Sequence, residues 1–323
     1  MQGKAASTPS ADMVGYVGID ACKAHLDVYL HPIGQQLRVA NTREGLKMLR
    51  RQIEPHCVAL IVMEATGKFH RLAHRMLHAW GYAVAVVNPY RSRKLADALG
   101  ALAKTDRIDA RLLAIFGESL KPKATPPAPK LLAELQELVL ARTAATAEAV
   151  ALANRLGAAE SAFLKSELRR QVKTLESHIA RLQAEIDRLI ANDPTFARRF
   201  EILSSIPGVG PATAATLIAC LAELGQLKAK QIAMLVGVAP VNHDSGERRG
   251  QQHIKGGRAF VRRALYMAAV VATRFHPDLK RFYRQLRDNA KKPKVALTAV
   301  MRKLVILANT LVAENRLWEP RHA

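Results

Sequence analysis

Residues 121–130 (KPKATPPAPK) hold four prolines in ten positions, and nothing else in the 323-residue chain limits its folding so sharply. Each proline fixes φ and removes a backbone donor, so neither a regular helix nor a paired strand can run through the segment. It reads as a semi-rigid linker. The residues before it alternate between short apolar runs and short helical patterns. Those after it, as far as residue 190, are helical in pattern and almost free of glycine and proline. The expected division is a first domain over 14–120, the linker over 121–130, long helices over 131–192 and a helical domain over 193–316.

Within the first domain, residues 14–20 (VGYVGID), 26–30 and 35–40 read as three strands, the last two joined by a turn around Pro32 and Gly34. Residues 43–53 have helical spacing through Leu46, Leu49 and Ile53. Residues 57–64 (CVALIVME) form an unbroken apolar run ending in an acid, which suits a strand covered on both faces. A helix over 68–79, a strand over 82–87 and helices over 91–99 and 107–120 follow. An antiparallel trio continued by βα units predicts a mixed sheet with helices packed on it, in the order of the RNase H-like fold.

Beyond the linker, Leu168, Val172, Leu175, Ile179, Leu182, Ile186 and Leu189 step by four and three, the seam of a coiled coil in a hairpin or a dimer. The alternative is a helix packed on its own domain. Residues 204–220 place Pro207-Gly208-Val209-Gly210 between two helix-compatible stretches, like a helix-hairpin-helix whose Gly208 and Gly210 let backbone N–H groups approach phosphate; a plain helix turn is the bland reading. Further helices are expected at about 230–236, 257–273, 277–289 and 294–313, with a polar loop over 242–256.

Charge narrows the partner. The chain carries 49 Lys and Arg against 27 Asp and Glu, a net +22, and residues 248–323 alone hold 18 of the basic residues against 4 acidic ones. Such a balance suits a polyanion, nucleic acid foremost, with an anionic membrane surface as the rival. Arg248, Arg249, Lys255, Arg258 and Arg262 are the candidate phosphate contacts. Cys22, Cys57 and Cys220 lack zinc-ligand spacing and predict free thiols in a reducing cytosol. Residues 1–13 are polar and predict no secretion signal, and no apolar run reaches about 18 residues, so a cytoplasmic protein without a membrane span is expected.

Five residues are candidates for chemistry. Asp20 and Glu64 end strands that neighbour each other in an RNase H-like sheet, and Asp106 and Asp109 share one face at the start of the last helix of the domain. Four carboxylates at one edge would repel unless a cation lay between them, and such hard oxygen donors favour Mg²⁺ or Mn²⁺. Singly, each acid could instead end a strand or cap a helix. Asp27, on the second strand, reads as a surface residue. Ser245, before Gly246 in the loop with four of those cations, has what a serine nucleophile needs, although a serine in a polar glycine-bearing loop is commonplace.

The motifs VGIDACKAHLDVYL, VMEATGKFHR, AKTDRIDARLLA, IPGVGPATAATL and LVGVAPVNHDSGERRGQQHIKGGRAFVRRALYMAA, in that order, resemble the DEDD transposases of the insertion-sequence-110 family, which includes pilin-gene-inverting recombinases. The resemblance runs over residues 14–313. It implies a RuvC-like first domain whose carboxylate cluster is Asp20, Glu64, Asp106 and Asp109, and a C-terminal transposase domain whose serine is Ser245. It further implies a covalent phosphoserine link to DNA, double-stranded DNA at element ends and target as substrate, and, as in some members, a guide RNA encoded by the element; the Leu168 to Leu189 seam adds the expectation of a dimer or tetramer. The chain departs from the pattern at Glu247, an acid directly after Ser-Gly. The residues by themselves also leave open a junction nuclease with water as nucleophile, or a non-catalytic nucleic-acid-binding protein.

Overall fold

In the computed structural model of the chain, the described residues are 15–65, 67–100, 106–241 and 253–320, with the side chains of 106 and 107 set aside. The chain divides into two compact units, residues 1–128 and 129–323.

The first unit is a mixed α/β layer structure. Its strands are β1 (Gly15–Ala21), β2 (His25–His31), β3 (Gln35–Ala40), β4 (Val58–Glu64) and β5 (Val84–Val87). They form one sheet in the order β3-β2-β1-β4-β5. The β1–β2 and β2–β3 pairs are antiparallel, and the β1–β4 and β4–β5 pairs are parallel. Four helices cover it: α1 (Arg43–Ile53), α2 (His70–Ala79), α3 (Pro89–Ala98) and α4 (Asp106–Leu120). Alternation along the strands sorts side chains between two cores. Val17, Ile19, Leu26, Val28, Ile61 and Met63 pack with Leu46, Leu49, Ile53 and Leu77 of α1 and α2. Leu60, Val62, Ala85 and Val87 pack on the other face with Leu113 and Phe116 of α4.

α3 begins two residues earlier than its pattern suggests, because Asn88 caps it: the Asn88 side chain accepts from Tyr90 N at 2.9 Å, and Pro89 takes the first helical position. The proline-rich segment is pinned at Thr125, near its middle. Thr125 N donates to Val84 O at 2.8 Å, its hydroxyl accepts from Val86 N at 2.9 Å, and its carbonyl lies 2.6 Å from His74 Nε2. These bonds occupy polar groups along the outer edge of β5.

The second unit is mostly helical. It starts with α5 (Lys130–Ala158) and α6 (Ala162–Asn192), which lie antiparallel, as the Arg142–Gln183 hydrogen bond of 2.7 Å and the clustering of Leu152 with Gln171 and Leu175 require. Along the heptad series Leu168, Ile186 and Leu189 are buried, whereas Val172, Leu175, Ile179 and Leu182 are half-buried. The helix packed beside this seam is α5 of the same chain.

α7 (Pro194–Ser204), α8 (Pro211–Cys220), α9 (Ala229–Val236), α10 (Ala259–Phe275), α11 (Pro277–Asp288) and α12 (Pro293–Ala313) close a core with the base of that hairpin, through Leu135, Val139, Ile186 and Leu189. At its centre α12 buries Val300, Met301, Leu304, Val305, Ala308 and Leu311. By length and composition α12 is apolar enough to cross a membrane, with mean hydropathy 1.7, which departs from the expectation that no segment would be. Arg302 and Lys303 break its apolar run, and its buried stripe is the core of this unit.

Two buried histidines give the fold an acid limit. Burial lowers the pKa of His74 and of His276, against an opposing hydrogen bond to Thr125 in the first case and the charge of Asp278 in the second. His276 Nδ1 accepts from Leu279 N at 3.4 Å at the start of α11, and its ring lies 5.0 Å from that of Trp318. An unfolded imidazole titrates near 6.5, so below that pH the unfolded chain binds more protons and stability falls. The melting temperature is therefore expected to drop between pH 7.5 and 5.5. His276→Asn, which keeps a capping side chain, should make that drop shallower; an identical slope would show that His276 does not contribute.

Candidate active site

The site is set by how α4 crosses the sheet. A Cβ on Gly18 would lie 2.0 Å from Ala110 O and 2.4 Å from Ala114 N, so β1 and α4 touch backbone to backbone there. A Cβ on Gly117 would lie 2.9 Å from Val62 Cγ2 and 3.2 Å from Tyr16 Cδ1. Tyr16 thus meets the later part of α4 and Gly18 the earlier part, so α4 runs antiparallel to β1. Its first turn, with Asp106 and Asp109, points toward the carboxyl ends of β1 and β4.

Those strand ends carry Asp20 and Glu64. Ile19 pairs with Met63 in the parallel β1–β4 ladder, so Asp20 and Glu64 follow side by side. By alternation they share the face of Gly18 and Val62, which α4 covers. Both are half-buried, as is Asp109. The partial positive charge of the α4 N-terminus faces this acidic edge.

The donor chemistry fits a hard divalent cation, since every group is a carboxylate. Among the described residues no three His, Cys, Asp or Glu side chains stand together at ligating distance. The Asp106 side chain is outside the described residues.

Three partners around this edge escape sequence reading. Ser92 of α3, itself buried, donates its hydroxyl to Glu64 Oε1. Asp27 is not the surface residue it was expected to be. It is 4% exposed, pairs across the ladder with Asp20, and accepts from Arg38 Nε and Nη2 at 2.9 and 3.0 Å. A lone serine on a helix gives no signal, and Asp27 looked external because α4 covers the face that strand alternation leaves polar.

In the second unit, Ser245, Arg248 and Arg249 lie outside the described residues. The segment that contains them is flanked by β6 (Pro240–Val241) and β7 (His253–Ile254), a short antiparallel pair. Gly237 and Gly257, both at positive φ, touch so closely that a Cβ on Gly257 would lie 2.3 Å from Gly237 N. Arg262 Nη1 donates to Gly256 O at 2.6 Å. Arg258 donates to both carboxylate oxygens of Glu223 at 2.5 and 2.6 Å and to Cys220 O at 3.0 Å. Burial pushes the Glu223 carboxyl up, and the hydrogen bonds and charge of Arg258 outweigh it, holding it below its ordinary value. These bonds tie Arg258 and Arg262 to neighbouring groups of their own unit, whereas Lys255 is exposed.

Gly208 also has a packing reason: at φ 102° it lies against α10, where a Cβ would be 2.7 Å from Ala272 N. Gly210 precedes α8 and faces open space. Burial pushes the Cys220 thiol up to about 11, which removes it as a nucleophile near neutral pH.

Comparison with known proteins decides the class. A transposase family model of the IS110 DEDD type matches residues 17–163, and a model described as "Transposase IS116/IS110/IS902 family" matches residues 200–284. The chain belongs to this transposase family. Family members are enzymes that cut and rejoin DNA. The first match contains all four candidate acids and the second contains Ser245. Among curated relatives, a "Pilin gene-inverting protein" of Moraxella bovis is 28% identical over 317 residues, covering 95% of this chain and 98% of its own. A "Probable family 20 transposase" of Pseudomonas aeruginosa is 27% identical over 281 residues, covering 74% of this chain and 77% of its own. A 42 kDa protein of insertion element IS900 from Mycobacterium paratuberculosis is 28% identical over 167 residues, covering 50% of this chain and 40% of its own.

Proposed function

We propose that this transposase cuts and rejoins element-end and target DNA with two pieces of chemistry: a metal-binding cluster of Asp20, Glu64, Asp106 and Asp109, and the hydroxyl of Ser245. The observation that carries the first piece is the passage of α4 across Gly18, antiparallel to β1, which turns its first acidic turn toward Asp20 and Glu64. The strand order β3-β2-β1-β4-β5 supports reading the unit as RNase H-like (RuvC-like). Mg²⁺ or Mn²⁺, held by these carboxylates, would supply positive charge to the oxygens of the reacting phosphodiester.

Ser245 would form the new bond. Its oxygen attacks phosphorus, a phosphoserine ester forms as one DNA P–O bond breaks, and the departing oxygen leaves as a hydroxyl after gaining a proton. Rejoining is the reverse step with the hydroxyl of a new strand, so the ester keeps the bond energy in the meantime. The exposed Gly210 turn before α8, a helix-hairpin-helix in this reading, and Lys255 would hold DNA backbone without reading bases. The family resemblance implies a second polyanion, an element-encoded guide RNA, and the +22 charge fits nucleic-acid partners of either kind. Half-buried heptad positions from Val172 to Leu182 support use of the hairpin as a coiled coil between copies in a homo-oligomer.

A denaturing gel of element-end DNA incubated with the protein and Mg²⁺ tests the reading. Wild type is expected to give a covalent protein–DNA adduct, and Glu64→Gln and Asp109→Asn neither adduct nor cut DNA. Free cut ends without adduct would replace the serine by water. Wild-type cutting by either variant would remove that acid from the cluster.

A further inference from the structure

We propose that Ser92 is a positioning residue, which holds the Glu64 carboxylate in the orientation it needs to ligate a divalent cation. The inference rests on the reading of Glu64 as a metal ligand and adds a residue to that site.

A glutamate at a strand end has three rotatable side-chain bonds and loses substantial freedom when it must point one way. The Ser92 hydroxyl lies at Glu64 Oε1 and can hold it there. Ser92 itself does not depend on Glu64 for its place. Glu64 pairs with Val87 across the β4–β5 ladder, and Ala65 N donates to Val87 O at 3.0 Å, so the two strand ends are tied. From Val87 the chain passes to the Asn88 cap and into α3, whose first position is Pro89. Ser92 falls in the fourth helical position, turned inward and only 6% exposed. Cap, proline and burial fix the hydroxyl before any ligand arrives.

The same oxygen lies 3.0 Å from Pro89 O. A hydroxyl has one proton, and a carboxylate is the stronger acceptor, so the proton belongs to Glu64. Outer partners of this kind set the rotation of a ligating carboxylate, and their removal costs roughly 10- to 100-fold in metal affinity or activity.

The test uses the full chain. Mn²⁺ binding without DNA is measured by titration calorimetry, and the Mg²⁺ dependence of DNA cutting is followed on gels, for wild type, Ser92→Ala, Ser92→Cys, Ser92→Thr and Glu64→Gln. Ser92→Ala should weaken Mn²⁺ binding about 10-fold and raise the Mg²⁺ needed for half-maximal cutting by a similar factor. Ser92→Cys, close in shape but a weak donor, should do the same, so a folding defect in the alanine variant does not decide the matter. Ser92→Thr, which keeps the hydroxyl, should restore both. If Ala and Cys both match wild type while Glu64→Gln loses metal and cutting, Ser92 positions nothing and the metal site stands. If Glu64→Gln itself binds Mn²⁺ and cuts like wild type, the ligand reading fails and the inference falls with it.

Discussion

Gly18→Ala is expected to abolish DNA cutting and to lower the melting temperature of the first unit by on the order of 10 °C. The added methyl would sit 2.0 Å from Ala110 O and 2.4 Å from Ala114 N. Both are backbone atoms inside a helix, so no side chain can rotate away, and α4 must lift as a whole. Overpacking in a formed core costs about 1–3 kcal/mol and more where backbone has to move. Gly18 is in extended strand, without positive φ, so the penalty is one of contact alone. Lifting α4 would also carry Asp106 and Asp109 away from Asp20 and Glu64, so, if the proposed metal cluster holds, function should be lost even below the melting point. Gly157→Ala, one residue from the end of α5, is the contrast: nothing lies within 4 Å of its Cβ position, and the exchange should leave stability unchanged or slightly raised, by less than the roughly 1 kcal/mol of a helix interior. Circular dichroism melts and the cutting gel read both variants. A Gly18→Ala protein that melts and cuts like wild type would disprove the close crossing.

Ser245→Ala should bind element-end DNA with unchanged affinity and unchanged salt dependence, yet form no covalent adduct. The loss should be complete, because in the proposed reaction the hydroxyl is the atom that becomes the ester. Affinity should hold because phosphate contacts come from cations and backbone N–H groups, which the substitution leaves in place. A neighbouring serine is needed as control, and the fold chooses between two. Ser205 Oγ donates to Ile202 O at 2.7 Å and accepts from Trp318 N at 2.9 Å, so Ser205→Ala would loosen the C-terminal segment. Ser204 is exposed and is the suitable control. Adduct from Ser245→Ala, or DNA found by mass spectrometry on another residue, would transfer the nucleophile's role elsewhere.

Element types were legible because two periods, two and about 3.6, dominate this sequence. The acids at strand ends were legible for the same reason: an apolar run that stops at Asp20 or Glu64 marks the edge of a sheet. Partners were not. The heptad series from Leu168 to Leu189 announces a seam but cannot say whether a second copy or α5 lies along it, and here α5 does. Asp27 follows the alternation that Leu26 and Val28 set, yet α4 covers its face too, and Arg38 across the ladder, with His25 Nε2 at 3.3 Å, makes its burial tolerable. Arg258 and Arg262 look like phosphate ligands beside a serine loop, because Glu223 lies 35 residues away from Arg258 in sequence and nothing local announces it. Such pairings depend on which distant groups the topology delivers, and a single chain read alone does not contain that information.

The hairpin of α5 and α6 extends beyond the core in which it is rooted. Only its base joins the core of the second unit, through Leu135 and Val139 on one helix and Ile186, Leu189 and Ile190 on the other. From Val139 the rod continues to Ala158, a reach of roughly 30 Å at 1.5 Å per residue, close to one turn of B-DNA at about 34 Å. Along that reach the two helices support mainly each other, so their outer amides should exchange hydrogen well before those of α12. A rod anchored only at its root should tolerate shortening or lengthening by whole heptads with little effect on the melting temperature of the anchored end. The length of the rod is thereby separated from the stability of the unit that bears it.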